Sequence, residues 1–522
     1  MRVAMVSPWG SARCGIRSYT KYLVEELSKY VELWIVPHYR YALPDRGYVR
    51  WLAKRVLSLD PDVVHVQHEY GIWNPIDPSV FIELLQLLRE RTKIVITMHS
   101  TGFGWEKAIS ELVDAVIVHN RYMYGLFQGS KDRVFIIPHG CRLIDAPRDV
   151  ARRRLGIDPS RYIVGVFGFI DPRKGHDVAL EVFARLRQRI DVEMVFVGGW
   201  HTERGNPYML QVMERARELG VRVTGFVDDH TFELWMSAVD VVLHPARAVS
   251  ESGIVSLALG AGKPVVVFDH PAFLGKPVAR FRTLEELVTI LERLADLEKR
   301  EELSRAARRY AEMFSWSKVA WLHYHLYRWV LHGDRYSLVQ LNGVKDAHWQ
   351  LTEIDMYGSP EAERDEVHRP RHEWVRARIE HPCVDIGSSY GYLGCEINID
   401  IALYRAALGK TLYPDREFIV ADAHTLPLRS GGLEQALLCE VLEHVENPLQ
   451  VLREASRAAK GLLITVPDES SPYRSSHSTE HVRFFTRESL MELVERVGLE
   501  VAEYEHVVNR GLGYAWHCIA CE

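Results

Sequence analysis

Short apolar stretches alternate with amphipathic stretches along most of the chain, and the alternation begins afresh three times. The apolar stretches predict β-strands and the amphipathic stretches between them predict helices. Alternating strands and helices are typical of a parallel sheet that is covered by helices on both faces. The sequence therefore predicts an α/β protein built from Rossmann-like sheets.

The positions of the strands define three series. The first two series have predicted strands at 2–7, 31–36, 62–66, 93–98, 115–118, 134–137, 162–167, 192–197, 221–224, 239–243 and 264–268. A helical, aromatic-rich stretch follows at 283–331, and then a polar segment without hydrophobic periodicity at 334–370. The third series opens at 383–387 and runs to the C-terminus.

The length of 522 residues also requires several domains, because a single hydrophobic core rarely grows beyond ~250–300 residues. We predict two Rossmann-like domains at 1–155 and 156–333 and a third at 371–522. The segment 334–370 is predicted to be a linker between the second and third domains.

Charge and cysteine content exclude several classes. The formal net charge is −6, which does not favour a nucleic-acid backbone as partner. No apolar run approaches the ~18–20 residues that span a bilayer, and the N-terminus resembles a strand more than a signal peptide.

Seven scattered cysteines predict no disulfide framework, so we expect reducing cytoplasm. Cys518 and Cys521 have the spacing of half a zinc site, but no second pair follows and we predict no metal site.

Polar residues follow the predicted strands of the first two domains, where α/β proteins bind their ligands. Gly15 opens a helix after the first strand, so a backbone can approach a ligand there and the helix N-terminus attracts an anion. Arg173 and Lys174 stand beside a later helix start, and two adjacent cations can neutralise a diphosphate. The alternatives are a tight turn at Gly15 and a solvated basic helix start.

A carboxylate and two small residues, Glu251, Ser252 and Gly253, begin another predicted helix. A carboxylate there can hold sugar or ribose hydroxyls. The alternative is simple capping of the helix N-terminus.

The order of these segments resembles the retaining GT-B glycosyltransferases of family 4. The matching segments are 15–19, 61–69, 97–100, 136–140, 173–175 and 262–266. The resemblance implies transfer of a sugar from a nucleotide-diphosphate donor to a glycan or lipid-linked acceptor. Two positions depart from the family pattern, since Phe169 replaces an arginine and Leu259 replaces a second glutamate.

The same resemblance implies roles for individual residues. Arg173 and Lys174 would hold the diphosphate and stabilise the leaving-group charge without an obligatory metal. Gly15 would let the backbone approach the donor, and Glu251, with the adjoining 252–253, would contact donor hydroxyls. His99 matches a histidine that lies beside the transferred sugar.

The third domain opens with a strand and a glycine-rich turn that contains Asp385, Gly387 and Gly391. Asp400 ends the next predicted strand, where a carboxylate can accept hydrogen bonds from ribose hydroxyls. Asp422 ends the strand after that and can meet an adenine edge.

This order, followed by Leu442-Glu443-His444, resembles class I S-adenosylmethionine-dependent methyltransferases of the small-molecule type. The resemblance implies that the turn at 385–391 shapes the methionine pocket, and that Asp400 holds the ribose and Asp422 the adenine. His444 is the first candidate for a general base, with His477 and His481 next. The alternative is a structural histidine packed under the cofactor.

Two aromatic or basic stretches allow a membrane interpretation. The aromatic stripe at 310–329 can be a membrane-interface stripe, but core packing is favoured because a terminal helix crosses back onto the first domain in the resembled fold. The basic helix predicted at 46–57 suggests peripheral membrane contact, and a solvated helix face is the favoured interpretation.

We therefore predict a bifunctional glycosyltransferase and methyltransferase. The alternative is a methyltransferase whose first two domains are a non-catalytic module that binds a sugar nucleotide or a glycan. The sequence does not name the sugar, the acceptor or the methylated atom.

Overall fold

The chain divides into two units, Met1–Leu341 and Asn342–Glu522. The structure, a computed structural model, describes residues 1–10, 14–38, 44–73, 77–199, 207–360, 364–468 and 481–522. Each unit has its own sheets and its own apolar cores.

Unit 1 begins with a six-stranded parallel sheet of order β2-β1-β3-β4-β5-β6. The strands are β1 (Arg2–Ser7), β2 (Glu32–Pro37), β3 (Val63–His68), β4 (Lys93–Met98), β5 (Ala115–Val118) and β6 (Val134–Ile136). The helices are α1 (Gly15–Leu27), α2 (Arg46–Leu57), α3 (Pro78–Arg89), α4 (Glu106–Leu112) and α5 (Arg121–Leu126). Every residue of β3 is buried, as expected for a central strand with helices on both faces.

A second six-stranded parallel sheet follows, with the order β12-β11-β10-β7-β8-β9. Its strands are β7 (Ile163–Phe167), β8 (Glu193–Val197), β9 (Arg222–Val223), β10 (Val241–His244), β11 (Val265–Phe268) and β12 (Ala279–Phe281). Its helices are α6 (Arg148–Leu155), α7 (His176–Leu186), α8 (Pro207–Leu219), α9 (Asp229–Ala238), α10 (Gly253–Gly260) and α11 (Leu284–Arg293). The order of elements confirms the predicted α/β class.

The aromatic stretch forms α12 (Leu297–Met313) and α13 (Trp316–His332), and α13 packs on the first sheet. The Tyr327 hydroxyl lies 2.6 Å from Nδ1 of His65 on β3. The Trp316 ring lies 4.9 Å from the ring of Tyr19 on α1. Both aromatic side chains are buried, so the stripe is part of the core, as the favoured interpretation predicts.

The segment after α13 differs from the expected irregular linker, because it forms the helix α14 (Arg335–Tyr357). The boundary between the units lies within this helix, after Leu341. Several of its buried side chains are polar, namely those of Ser337, Gln340, His348, Thr352 and Glu353. The buried face also contains the apolar Leu341, Val344 and Ala347, so polar side chains interrupt the apolar periodicity by which a helix is detected in a sequence.

Unit 2 contains a seven-stranded sheet of order β15-β14-β13-β16-β17-β19-β18. Its strands are β13 (Cys383–Ile386), β14 (Ile397–Asp400), β15 (Glu417–Val420), β16 (Leu433–Cys439), β17 (Ala459–Pro467), β18 (Val501–Asn509) and β19 (Tyr514–Cys521). Its further helices are α15 (Arg369–Arg376), α16 (Leu403–Leu412), α17 (Pro448–Ala458) and α18 (Arg487–Glu495). The strands are parallel except β19, which is antiparallel to both β17 and β18.

One disulfide joins Cys383 on β13 to Cys395 in the loop before β14. The scattered cysteines predict no disulfide framework, and a single pair is not one, but it is a pairing that the sequence did not indicate. The other five cysteines are free. Among the described helices, none is both long enough and apolar enough to cross a bilayer.

Candidate functional site

In unit 1, three histidines surround the ring of Tyr19 at the carboxyl ends of β4, β5 and β6. The centroids of His99, His119 and His139 lie 4.9, 5.3 and 5.1 Å from that of Tyr19. Each histidine follows a parallel strand, and parallel strands end at the same edge of a sheet. The predicted site residue His99 therefore belongs to a preformed aromatic cluster.

His99 is held by a neighbour on the adjacent strand. Its Nε2 lies 2.9 Å from Oε1 of Gln67, so the ring donates from Nε2 when the amide oxygen accepts. Burial, followed by the neighbouring His119, holds the pKa of His99 well below its usual range. The imidazole is therefore neutral at physiological pH, and its Nδ1 is left as an acceptor.

Glu251 is an ionised carboxylate inside a closed network. It accepts hydrogen bonds from Lys276 Nζ at 2.5 Å, from the Ser252 backbone N–H at 2.8 Å and from Asn120 Nδ2 at 3.2 Å. Burial alone would raise its pKa, but Lys276 and His139 lower it to about 2. The Glu251 side chain is 4% exposed, so in this structure protein donors occupy the carboxylate that was predicted to contact donor hydroxyls.

The start of α10 lies next to this network. Ser252 Oγ lies 3.1 Å from Nε2 of His244 and accepts from the Val255 N–H at 3.4 Å, which is the alternative capping role. A Cβ on Gly253 would lie 3.3 Å from Nε2 of His139. The two small residues therefore bring the helix N-terminus close to the histidine cluster.

The two predicted diphosphate ligands differ in environment. Arg173 is exposed, with 75% of its side chain accessible, and donates from Nε to Asp171 Oδ1 at 2.9 Å. Lys174 is half-buried, and its ammonium group makes no hydrogen bond or ion pair with the described residues. Burial, followed by the charge of Arg173, lowers the pKa of Lys174. An unpaired, partly desolvated cation is a strong anion site.

Gly15 begins α1 at the carboxyl edge of the first sheet. It is exposed, and a Cβ there would meet no atom within 4 Å. Packing within the protein therefore does not require glycine at this position, and the space beside it is open to a ligand.

In unit 2, the turn after β13 has a left-handed backbone at three positions. The φ angles are 72° at Gly387, 53° at Ser389 and 77° at Gly391. A Cβ on Gly387 would lie 2.6 Å from Val441, and one on Gly391 would lie 2.8 Å from Phe418. Close packing therefore accounts for both glycines, while the non-glycine residue between them adopts the turn conformation that glycine favours.

The candidate ribose ligand Asp400 and the candidate adenine ligand Asp422 differ in burial. Asp400 is 3% exposed, and its oxygens accept from the Ser389 and Ala402 backbone N–H groups, both at 2.8 Å. It therefore supports the glycine-rich turn, a role that the sequence analysis did not assign to it. Asp422 is exposed and accepts from His424 Nδ1 at 2.6 Å.

Asp385 is a buried carboxyl group without a matching cation. Its Oδ2 is buried and has no hydrogen-bond partner among the described residues. Burial, followed by the nearby Asp400, raises the pKa of Asp385 to about 8, against a smaller opposite effect of Arg371. A site with this excess of acceptors suits a ligand that carries positive charge and hydrogen-bond donors.

Glu443 and His444 follow β16 at the same edge. Both Glu443 oxygens are buried without a described hydrogen-bond partner, and burial followed by Glu440 raises its pKa well above the usual range. His444 is partly exposed, with Nε2 4.0 Å from Glu443 Oε1 and its ring 4.8 Å from that of His481. The remaining candidate, His477, lies outside the described residues.

Sequence reasoning missed several of these residues. His119 directly follows β5, so the rule that ligand-binding residues follow parallel strands would have found it. Lys276 and Arg371 carry no such signal. The partner of Lys276, Glu251, is 25 residues away, and Arg371 lies on α15, before the first strand of the sheet.

Two family models match the chain. A model described as "Glycosyl transferases group 1" matches residues 161–294, and one described as "Methyltransferase domain" matches residues 350–504. The first match covers most of the second sheet of unit 1, and the second covers most of the sheet of unit 2.

Curated relatives resemble the glycosyltransferase region. A D-inositol 3-phosphate glycosyltransferase of Jonesia denitrificans is 28% identical over 224 residues, covering 38% of this chain and 52% of that protein. A lipopolysaccharide core biosynthesis mannosyltransferase of Rhizobium meliloti is 31% identical over 203 residues, covering 37% and 56%. The chain thus spans about half the length of the curated relatives it matches.

A solved structure gives the fold of the same region. Sucrose-phosphate synthase from Thermosynechococcus elongatus superposes with a TM-score of 0.53 at 19% identity, over 64% of this chain and 100% of that chain. This likeness, with the two parallel sheets of unit 1, shows a GT-B fold. The chain therefore combines a GT-B region that contains a group 1 glycosyl transferase domain with a methyltransferase domain.

Proposed function

We propose that unit 1 transfers a sugar, with retention of configuration, from a nucleotide-diphosphate sugar to a glycan or lipid-linked acceptor. We propose further that unit 2 transfers a methyl group from S-adenosylmethionine. The family models and the names of the curated relatives support the two transferase classes.

The observation that carries the proposal for unit 1 is the unpaired cation at Lys174. It lies next to Arg173, after β7, at the edge where α/β sheets bind phosphates. A diphosphate there would pair with Lys174 and receive the Arg173 guanidinium once its contact with Asp171 opens. Both cations would stabilise the negative charge that develops on the leaving diphosphate, without an obligatory metal.

The histidine cluster supplies orientation for the sugar. A neutral His99, fixed by Gln67, offers an acceptor to a sugar hydroxyl or to the reacting end of the donor. Glu251, locked by Lys276, holds its charge close to His139 and can stabilise positive charge that develops on the sugar. The open space at Gly15 would let the protein backbone approach the sugar donor closely.

The proposal for unit 2 rests on buried acceptors that lack partners. When bound, S-adenosylmethionine supplies a methyl group on a positively charged sulfur. Asp385 and the turn at Gly387 would hold its methionine end, and Asp400 and Asp422 its ribose and adenine. Holding donor and acceptor in line is the main source of rate in such a site, and His444 would take the acceptor proton.

One experiment tests both halves. The full chain is incubated with a panel of nucleotide sugars and with glycan or lipid-linked acceptors, with and without S-adenosylmethionine. The proposal predicts nucleoside diphosphate release that depends on acceptor, an unchanged anomeric configuration by NMR, and S-adenosylhomocysteine formation. Absence of sugar transfer with every donor would contradict the proposal for unit 1.

A second candidate function follows from Leu259. This residue is fully buried on α10, at the position where the resembled family carries a second glutamate. The candidate is a methyltransferase whose GT-B region binds a sugar nucleotide or glycan without turnover. Nucleotide-sugar binding by calorimetry, together with methyl transfer and no sugar transfer, would favour it.

A further inference from the structure

Three side chains outside the sites described above gather potential metal ligands at one end of the sheet of unit 2. They are Asp468, His506 and His517, and one ligand atom from each lies within 4.8 Å of the others. His506 Nε2 is 2.9 Å from Asp468 Oδ2, and His517 Nε2 is 3.7 Å from Asp468 Oδ1.

Strand pairing holds the two histidines side by side. His506 on β18 and His517 on β19 are direct register partners in the antiparallel pair, and their rings stack with centroids 5.3 Å apart. Alternate residues of a strand share a face, so His517 continues the row formed by Ile519 and Cys521. Those two residues belong to the apolar core, so His517 is the polar residue at the end of an otherwise apolar row.

Asp468 completes the group from a third strand. It directly follows β17, and its backbone N–H donates to the Ala515 carbonyl at 2.9 Å. Because β13 and β17 both run parallel to β16, Asp468 lies at the same edge of the sheet as the turn at Gly387. The cluster therefore lies at the edge where α/β sheets bind their ligands.

The surroundings of His517 leave one ring nitrogen available to bind a cation. His517 is 6% exposed, and its Nε2 is buried without a hydrogen-bond partner among the described residues. Its other nitrogen, Nδ1, lies 2.9 Å from the Tyr504 hydroxyl. In metal sites the second ring nitrogen is commonly engaged in this way, which fixes the orientation of the ring.

We propose that Asp468, His506 and His517 bind one divalent transition-metal ion of the zinc class. Two imidazoles and one carboxylate favour such an ion over Mg²⁺ or Ca²⁺, which prefer oxygen ligands. Three protein ligands leave a fourth position for water or a substrate oxygen, as in reactive rather than structural zinc sites. This assignment depends on no step of the proposed transfer reactions.

The test is metal titration of the full chain after treatment with a chelator. Zn²⁺ binding is followed by calorimetry, and Co²⁺ binding by its visible absorption. One equivalent is expected to bind, and His506→Gln and Asp468→Asn are each expected to weaken binding by at least ~100-fold. Tyr504→Phe keeps all three ligands and is expected to weaken binding by ~10-fold, because it removes only the support of His517.

A matched control separates this cluster from another described group of potential ligands in unit 2. His444→Gln removes a potential ligand from the group Glu443, His444 and His481 and is expected to leave the titration unchanged. His506 is partly exposed, so its variant is expected to fold, which circular dichroism checks. The proposal is overturned if the wild-type chain binds no stoichiometric ion, if both ligand variants retain wild-type affinity, or if His444→Gln alone abolishes binding.

Discussion

The two candidate sites bury carboxyl groups to a similar extent, yet the pKa of one carboxyl group is lowered and that of the other is raised. Glu251 in unit 1 is paired with Lys276, and its pKa is about 2. Asp385 in unit 2 has no comparable partner, and its pKa is about 8. Burial raises the pKa in both cases, so the neighbouring cation decides which form is present.

The comparison extends to the charge that each site lacks. In unit 1 the carboxylate of Glu251 is hydrogen-bonded to protein donors, whereas the ammonium group of Lys174 has no described ion-pair partner. In unit 2, Oδ2 of Asp385 and both oxygens of Glu443 are buried without a described hydrogen-bond partner. The first site therefore lacks an anion and the second lacks a cation. A sugar-nucleotide diphosphate and a sulfonium cofactor supply these charges respectively, and this complementarity is the central claim.

The largest expected effect comes from breaking the pair in unit 1. Lys276→Met would leave the Glu251 carboxylate buried without its cation. We expect the free energy of unfolding of unit 1 to fall by about 3–5 kcal/mol, since removing one partner of a buried pair strands the other charge. Denaturant unfolding measures this loss. Addition of Glu251→Gln should restore part of it, and a double variant no more stable than Lys276→Met would contradict the pairing.

Removing the unpaired cation should affect function rather than folding. Lys174→Ala is expected to reduce sugar transfer by ~10- to 150-fold, the equivalent of a charge-assisted contact of roughly 1.5–3 kcal/mol. The matched control is Arg173→Ala, which should have a smaller effect because Arg173 is exposed and paired with Asp171. Equal losses of sugar transfer in the two variants would contradict the stronger role given to Lys174. Methyl transfer should persist in both.

In unit 2, Asp400 has two roles that a pair of variants can separate. Asp400→Ala removes a ribose acceptor and also the acceptor for two backbone N–H groups. We expect roughly 1.5–3 kcal/mol of cofactor affinity to be lost, together with a lower melting temperature. Asp400→Asn keeps one oxygen acceptor and should lose less of both. Calorimetry with S-adenosylhomocysteine checks the affinity, and unchanged affinity in Asp400→Ala would place the ribose elsewhere.

The pH dependence of stability should have opposite signs at the two buried carboxyls. An unfolded aspartate titrates near ~3.9, whereas folded Asp385 titrates near 8. Between these values the unfolded chain has released its proton and the folded chain retains it, so each unit of rising pH lowers the free energy of unfolding by about 1.4 kcal/mol. Glu251 acts in the opposite direction, with stability lost as pH falls from about 4.5 towards its folded pKa of about 2.

Asp385→Asn isolates the effect in unit 2. This variant cannot titrate, so the decline of stability between pH 5 and 8 should become smaller, as measured by thermal unfolding across that range. The same decline in the variant and in the wild-type chain would mean that Asp385 is ionised when buried.

Sequence patterns predicted the strands of the first two sheets closely except β12, because strands such as β1, β4 and β5 are apolar and bounded by polar turns. In the third sheet β17 and β18 were not predicted. The pattern also failed at α14, where polar and apolar side chains share the buried face. The positions of the site residues also followed from the strand ends. What the sequence did not reveal was their pairing, because Lys276 and Arg371 approach the sites from distant segments, and a spacing rule carries no information on such contacts.

Proton transfer on binding tests the central claim most directly. Calorimetry in buffers of different ionisation enthalpy gives the number of protons taken up or released. Binding of S-adenosylmethionine should release protons at about pH 7, because a bound cation lowers the pKa of Asp385. Binding of S-adenosylhomocysteine should release fewer protons, because its sulfur is uncharged. A nucleotide diphosphate should cause proton uptake in the alkaline range, because a bound anion raises the lowered pKa of Lys174. Proton exchange of the same sign for both ligands, or none for either, would contradict the claim.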